Sequence, residues 1–346
     1  MDQTLDYVIT TPLPVFYKVN LYNELAKSLK IFVVFLASET KEKRAGDFTG
    51  LKNACFEHAT LFAGNLQERP LWKNSYQLVQ ILRQKPCKWL LVGGWDCLEF
   101  WAGVLASPKA QNAIVVESSI YESTTRGVKA WLKRVFLGRI SRAFVCSHKH
   151  AKLLEVLGFK GEFRITHGVG IIHKPLLCRD KRSYAKQFIC VARLSGVKNL
   201  EFLLRVFHNL PDFSLSLVGT GELEEALKRM ASPNVAFLGA VENARLGELF
   251  CAFDGLILPS LSEPWGLVVE EALAVGLPVF VSSACGAQVL VQEGVNGFIF
   301  DPKDEMRLIG LLEGLSLAGY KTLLEGALAW SLEAKDNKQV QAYAPK

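Results

Sequence analysis

The sequence has no C-x-x-C pair, no H-E-x-x-H or other zinc spacing among its six His, and no D-x-D. These absences remove the common thiolate, imidazole and paired-carboxylate metal sites, so neither a metal nor a cofactor is called for. No apolar run approaches the ~20 residues that cross a bilayer; the stretch 31–37 has the length of a buried strand. The opening MDQTLDYVIT lacks the basic end and long apolar core of a secretion signal, and no tract is of low complexity. The expectation is a chain that folds in the cytoplasm. Eight cysteines (Cys55, Cys87, Cys97, Cys146, Cys178, Cys190, Cys251 and Cys285) stand far apart and read as buried small hydrophobes in a reducing compartment.

What is present is a 346-residue chain, half of it apolar, with a mean hydropathy of +0.18. That length suggests two domains, and the hydropathy excludes general disorder. Charge is divided unevenly. Residues 1–168 carry 23 Lys+Arg against 14 Asp+Glu, and residues 169–346 carry 17 against 20. A basic half beside a mildly acidic one implies an anionic partner; charge alone leaves nucleic acid, acidic lipid and a phosphorylated acceptor open.

Short apolar runs alternate with amphipathic stretches throughout. Strands are predicted at 7–10, 31–36, 89–92, 113–116, 143–146 and 163–166, then at 188–191, 215–218, 235–238, 255–258, 279–281 and 297–300. Helices are predicted at 21–29, 75–83 and 128–137 in the first half. In the second they fall at 200–209, 223–230, 246–253, 267–275 and 305–315. The alternation predicts an α/β protein of two Rossmann-like doubly wound domains, joined near 169–183 by a polar, basic, proline-containing segment. Ligands of such sheets bind beyond the carboxyl ends of the strands, so residues just after strands are the informative ones.

Three of these strand ends carry charged or glycine-rich segments. After strand 188–191 come Arg193 and, at the mouth of the next helix, Lys198; a guanidinium fork and an ammonium together suit a diphosphate, although R-x4-K is more often a solvated loop. LVGTGE at 217–222 places Gly219 and Gly221 where a backbone can turn sharply and approach a ligand, or simply turn. PSLSEPWGLVVEEALAVGLPV at 259–279 is the most specific. Glu263 sits in its loop, Pro264 suits a helix start, and the amides of Gly266, Leu267 and Val268 offer an anion site. Glu271 follows on the helix, so two carboxylates flank a phosphate-binding helix start, as a nucleotide sugar requires. Glu270 lies about 100° round the helix and reads as surface charge.

The segment EPWGLVVEEALAVGLPV resembles the E-x7-E signature of retaining GT-B glycosyltransferases, especially glycosyltransferase family 4. The Arg193/Lys198 pair, VGTGE, VAFLGAV at 235–241 and EGVNGF at 293–298 resemble it in the same order, over about 120 residues. The first half is similar more loosely, through TPLPVFY at 11–17, VGGWD at 92–96 and VESS at 116–119. The resemblance implies two domains facing across a cleft. Residues 1–168 would bind the acceptor, 169–184 link, 185–318 bind the nucleotide sugar, and 319–346 form a helix returning towards the first domain. It further implies that Arg193 and Lys198 hold the donor diphosphate, Glu263 contacts the transferred sugar, Glu271 the ribose, and the Val241 main chain the base. Two positions depart from the family: His167 stands where N-G-V-D is common, and Glu117 where many members place a sugar-contacting His.

The activity so implied is metal-independent, retaining transfer of a sugar from a UDP- or GDP-sugar to a glycan or lipid-linked glycan hydroxyl, as in bacterial surface polysaccharide or lipopolysaccharide synthesis. No assured carboxylate nucleophile is present, which favours same-face displacement. Glu117 is open between a sugar contact or base and a helix-capping loop residue. The acceptor is expected to touch the loop 11–18, at Pro12, Pro14, Phe16 and Tyr17, although the prolines also suit a plain turn. Val128, Trp131, Leu132, Val135 and Phe136 recur at helical spacing among Arg126, Lys129, Lys133 and Arg134, with Arg139, Arg142, Lys149 and Lys152 following. Such a helix either lies in an anionic inner-membrane surface or packs on its own sheet with its basic residues in water. An epimerase on the same scaffold and a non-catalytic nucleotide-sugar-binding subunit are the alternative functions; the acidic second domain and its sugar site argue against nucleic acid.

Overall fold

The computed structural model describes residues 4–42, 46, 48–120, 122–174 and 183–344. The chain divides into two compact units: Met1–Ile171 with Lys335–Lys346, and Ile172–Ala334. Residues 175–182 of the expected linker, with Cys178, lie outside the described residues.

In the first unit the strands are β1 (Leu5–Thr11), β2 (Ile31–Phe35), β3 (Glu57–Thr60), β4 (Cys87–Val92), β5 (Asn112–Val116), β6 (Arg142–Val145) and β7 (Glu162–Ile165). They form one parallel sheet in the order β3-β2-β1-β4-β5-β6-β7. Its helices are α1 (Phe16–Ala26), α2 (Leu71–Gln84), α3 (Leu98–Ala106), α4 (Gly127–Leu137) and α5 (His148–Val156). The two-residue period of a strand sends alternate side chains to opposite faces. Val8, Val34, Leu90 and Val92 pack under α2–α5. Tyr7, Ile9, Val33 and Leu91 pack on the other face with α1. All six strands predicted in this half are present, within a few residues. β3 was not predicted because its sequence, EHAT, has no apolar run; it is an edge strand with Glu57 and His58 exposed. Arg142, expected as part of a solvated basic run, is buried in β6, bonds Glu162 at 2.7 Å and lies 3.8 Å from the centre of the Trp89 ring.

The second unit has β8 (Gln187–Val191), β9 (Ser214–Val218), β10 (Val235–Gly239), β11 (Gly255–Leu258), β12 (Val279–Ser282) and β13 (Gly297–Phe300), parallel in the order β10-β9-β8-β11-β12-β13. Its helices α6 (Leu200–His208), α7 (Glu224–Met230), α8 (Asn243–Phe250), α9 (Leu267–Ala274) and α10 (Glu305–Glu313) fall close to their predicted positions. The stretch expected as one returning helix is two: α11 (Leu317–Ala329), in the second unit, and α12 (Leu332–Ala342), which from Lys335 onward belongs to the first. There Tyr343 stacks on Phe144 at 4.6 Å, its carbonyl accepts the Tyr7 hydroxyl at 2.9 Å, and Lys335 Nζ donates to Gly170 O at 2.8 Å.

In each sheet the chain winds outward in opposite directions from two neighbouring central strands, β1/β4 and β8/β11, opening a crevice at their carboxyl ends. No helix among the described residues is long and apolar enough to cross a membrane. Cys97, Cys146, Cys190 and Cys285 are buried as expected, but Cys55 and Cys251 are exposed.

Because Tyr343 is almost wholly buried against the first sheet, Tyr343→Ala should destabilise the first unit by roughly 3–5 kcal/mol, the range for losing a buried aromatic. Urea unfolding curves of the two proteins measure the difference.

Candidate functional site

The second unit's crevice is built from the loops after β8 and β11. Beyond Val191 the chain turns through Gly196–Lys198, and Asn199 adopts a left-handed conformation (φ 56°) before α6. Asn tolerates that region better than most residues. The Asn199 side-chain amide donates to Pro259 O at 3.2 Å and Pro302 O at 2.8 Å, while Leu261 N donates to Val197 O at 2.9 Å. The two loops are thereby held together, and Lys198 Nζ donates to Glu263 Oε2 as an ion pair, with side-chain exposures of 17% and 13%. Ser260 Oγ donates to the same oxygen at 3.4 Å. Sequence reasoning missed Asn199; a lone Asn between a cation and an apolar helix start is the signal it left.

A third loop fixes Glu263 from behind. Glu263 N donates to Ala284 O at 3.2 Å and Gly286 N to Glu263 O at 2.9 Å. The Trp265 carbonyl accepts from Ala287 N at 2.8 Å and from Cys285 Sγ at 2.9 Å. Gly266 caps α9 with φ 94°, and a Cβ there would stand 2.9 Å from Cys285 Sγ and 3.3 Å from Glu263 Cγ, so only glycine fits. The first turn of α9, at Leu267 and Val268, thus begins beside the Lys198–Glu263 pair. Pro264 precedes that helix by three residues and is not its first position. Burial pushes the Cys285 thiol well above its ordinary pKa, with Glu263 adding to the shift, so it sits there as an inert packing group.

Glu270 corrects the sequence reading: it is fully buried and accepts a hydrogen bond from the Trp265 indole N–H. The helical wheel fixed its angle from Glu271 but not which side of α9 faces the protein. Glu271 is half-buried. Gly219 and Gly221 have a steric reason of their own within the fold. Gly219 has φ 131°, and Cβ atoms at the two positions would collide with the carbonyl oxygens of Ala192 and Leu194 respectively. The glycines let the β9 loop lie on the β8 loop that carries Arg193, where Leu194 N donates to Thr220 O at 3.0 Å. The Arg193 side chain itself is exposed, and no described residue forms an ion pair with it. Gly219 N also donates to Gly239 O at 2.7 Å, lacing in the end of β10; half-buried Val241 follows.

In the first unit a cavity of about 280 Å³ opens beyond β1, lined among others by Thr11, Pro12, Tyr17, Lys18, Gly93 and Glu117. Of the expected acceptor contacts, Pro12 and Tyr17 line it, but Pro14 and Phe16 are buried beneath. Phe16 packs edge-on against Tyr17 at 5.5 Å and Phe48 at 6.3 Å. Glu117 does not cap a helix; it pairs with Lys18, a buried cation on the inner face of α1 that the sequence reading did not single out. Its signal was a lysine interrupting the apolar face of Val15, Val19 and Tyr22. Burial works against the Lys18 ammonium, but Glu117 together with Tyr22, Tyr17 and Tyr343 outweighs it, and the pKa is held above the ordinary lysine value. For a raised lysine, the stabilisation is complete below the unfolded value of about 10.4 and is lost only as pH rises through the folded one.

Residues 179–317 match the family described as glycosyl transferases group 1. The sulfoquinovosyl transferase of Arabidopsis thaliana is 34% identical over 147 residues, 41% of this chain and 27% of that protein. The chain thus spans well under half the length of the curated relatives it matches. Among solved structures, the apo form of the lipopolysaccharide outer core galactosyltransferase WaaB superposes with a TM-score of 0.72 at 14% identity, covering 97% of this chain and 98% of that one. The fold is GT-B. Anabaena HepE in complex with UDP and glucose superposes with a TM-score of 0.70 at 17% identity, covering 97% of this chain and 98% of that one. The matched family segment contains every residue of the Lys198–Glu263 site.

Breaking the first-unit pair should cost unequal amounts. The Lys18 side chain is 11% exposed and Glu117 32%, so an orphaned ammonium is the worse remnant. Glu117→Ala should lose stability near the low end of roughly 3–5 kcal/mol, and Lys18→Met less. Thermal unfolding at pH 7 orders them.

Proposed function

We propose that this protein is a retaining glycosyltransferase that moves a sugar from a UDP- or GDP-sugar to a hydroxyl of a glycan or lipid-linked glycan, at the inner face of the cell membrane. The observation that carries the reading is the Lys198–Glu263 pair at the start of α9, inside a segment matching glycosyl transferases group 1. A diphosphate entering there exchanges one anionic partner of Lys198 for another, and frees Glu263 to accept hydroxyl hydrogens from the sugar. Arg193, exposed and without an acidic partner among the described residues, and the first amides of α9 add positive charge for the leaving phosphates. Together these groups neutralise the diphosphate without a metal. Glu271 takes the ribose and the Val241 main chain the base.

Transfer proceeds on one face of the sugar. The acceptor oxygen bonds to the anomeric carbon as the bond to diphosphate breaks, and the acceptor proton passes to the departing phosphate oxygen. The first unit supplies the acceptor contacts, from Pro12 and Tyr17, while Glu117 is held by its ion pair with Lys18 at the wall of the same cavity. A surface polysaccharide or lipopolysaccharide intermediate fits such an acceptor. The basic charge of residues 1–168 favours an anionic, lipid-linked form of it.

Thermal-shift screening against nucleotide sugars, followed by hydrolysis and transfer assays, tests the proposal. A true donor at a hundredfold excess over Kd stabilises by about 2.7 kcal/mol. Lys198→Ala and Glu263→Ala should each lower kcat/KM by roughly 10²–10³, the effect of removing one preorganised contact. Near-wild-type values in both would reject the assignment.

A further inference from the structure

Helix α4 is turned the wrong way for an ordinary surface helix. Ala130, Phe136 and Leu137 face the core, yet the stripe at positions i, i+3, i+4 and i+7, formed by Val128, Trp131, Leu132 and Val135, faces solvent. Val128 is 74% exposed and Trp131 59%. A helix normally buries its apolar stripe; here the core is satisfied by the opposite side, and the stripe is left over. No acidic residue lies anywhere in 123–138, whereas Arg126, Lys129, Lys133 and Arg134 do. Lys133 turns inward to Ser123 Oγ at 2.6 Å, so the exposed flanks of the stripe are Lys129 on one side and Arg134 on the other.

At the carboxyl end of α4 the surface continues into a groove of about 600 Å³, lined by Lys109, Arg134, Val156, Leu157, Phe159 and Lys160 among others. Three cations converge there over an apolar floor. The groove lies where β5, β6 and β7 begin, at the opposite end of the sheet from Glu117, so an occupant leaves the strand-end cavity open.

We propose that α4 and this groove form a docking surface for an anionic lipid bilayer, with the Val128/Trp131/Leu132/Val135 stripe among the acyl chains and one lipid phosphate in the groove. Charge complementarity selects this occupant. A second copy of the chain would set cationic flank against cationic flank, and a nucleic-acid backbone would leave the aliphatic stripe without a partner. The inference gives the membrane contact of the proposed function a surface, but it does not depend on sugar transfer, and its test has no turnover readout.

Cosedimentation of the full chain with phosphatidylcholine vesicles, with and without phosphatidylglycerol at roughly one lipid in three, decides the matter. Wild type should bind the anionic vesicles at low salt, ignore pure phosphatidylcholine, and release by tenfold or more at roughly 1 M salt. Trp131→Ser with Val135→Ser should weaken binding by about tenfold or more, and so should Lys129→Glu with Lys160→Glu. No binding of wild type at low salt overturns the proposal; so does binding that both double variants retain. A lipid-free dimer that Trp131→Ser abolishes assigns the stripe to a second copy and also overturns it. Should a double variant fail to fold, quenching of wild-type tryptophan fluorescence by brominated lipid in anionic vesicles supports the proposal, and unchanged fluorescence rejects it.

Discussion

The second unit depends on one ion pair. Lys198 and Glu263 come from loops that leave neighbouring central strands and run to opposite sides of the sheet, so nothing in the local sequence of either brings them together. Their meeting is enforced by backbone ties: Leu261 to Val197, the Asn199 amide across two carbonyls, and the strand-like bridge of Glu263 to the loop after β12. A pair this shielded from water is held by geometry more than by net Coulomb gain, because desolvation offsets much of the attraction. What it secures is position. The ammonium and the carboxylate are fixed side by side at the start of α9.

The first unit repeats the arrangement with different residues. Lys18 on α1 meets Glu117 at the end of β5, again beyond the carboxyl ends of parallel strands and here lining a cavity. In the half of the chain where cations outnumber acids, this acid is spent on compensating a lysine within the fold. The surplus positive charge is displaced outward, to α4 and the groove beside it.

The sheets were legible because strands buried on both faces are written as apolar runs; 255–258 and 297–300 match the observed limits of β11 and β13. Elements without that contrast stayed hidden. β3 is polar at an edge, α3 (LEFWAGVLA) is apolar on nearly every side, and α5 begins with His148, Lys149 and His150. At the site, residue type and spacing were enough to select Lys198, Glu263 and Gly266. They did not disclose who touches whom. Glu270 was misplaced because a wheel has no outside until its neighbours are known, and Gly219 and Gly221 make room for the adjacent loop. Lys18 was invisible because its partner is 99 residues away.

The final helix has a consequence for how the molecule is made. Residues from 335 onward complete the core of a unit whose sheet is otherwise finished by residue 171. During synthesis the ribosome therefore releases the second unit's strands before the first unit owns its last aromatic, Tyr343. Until then the groove over Tyr7 and Phe144 stays uncovered. The earlier-made half is the later-finished one, and a nascent chain stalled before residue 335 would present an unsealed apolar surface to chaperones.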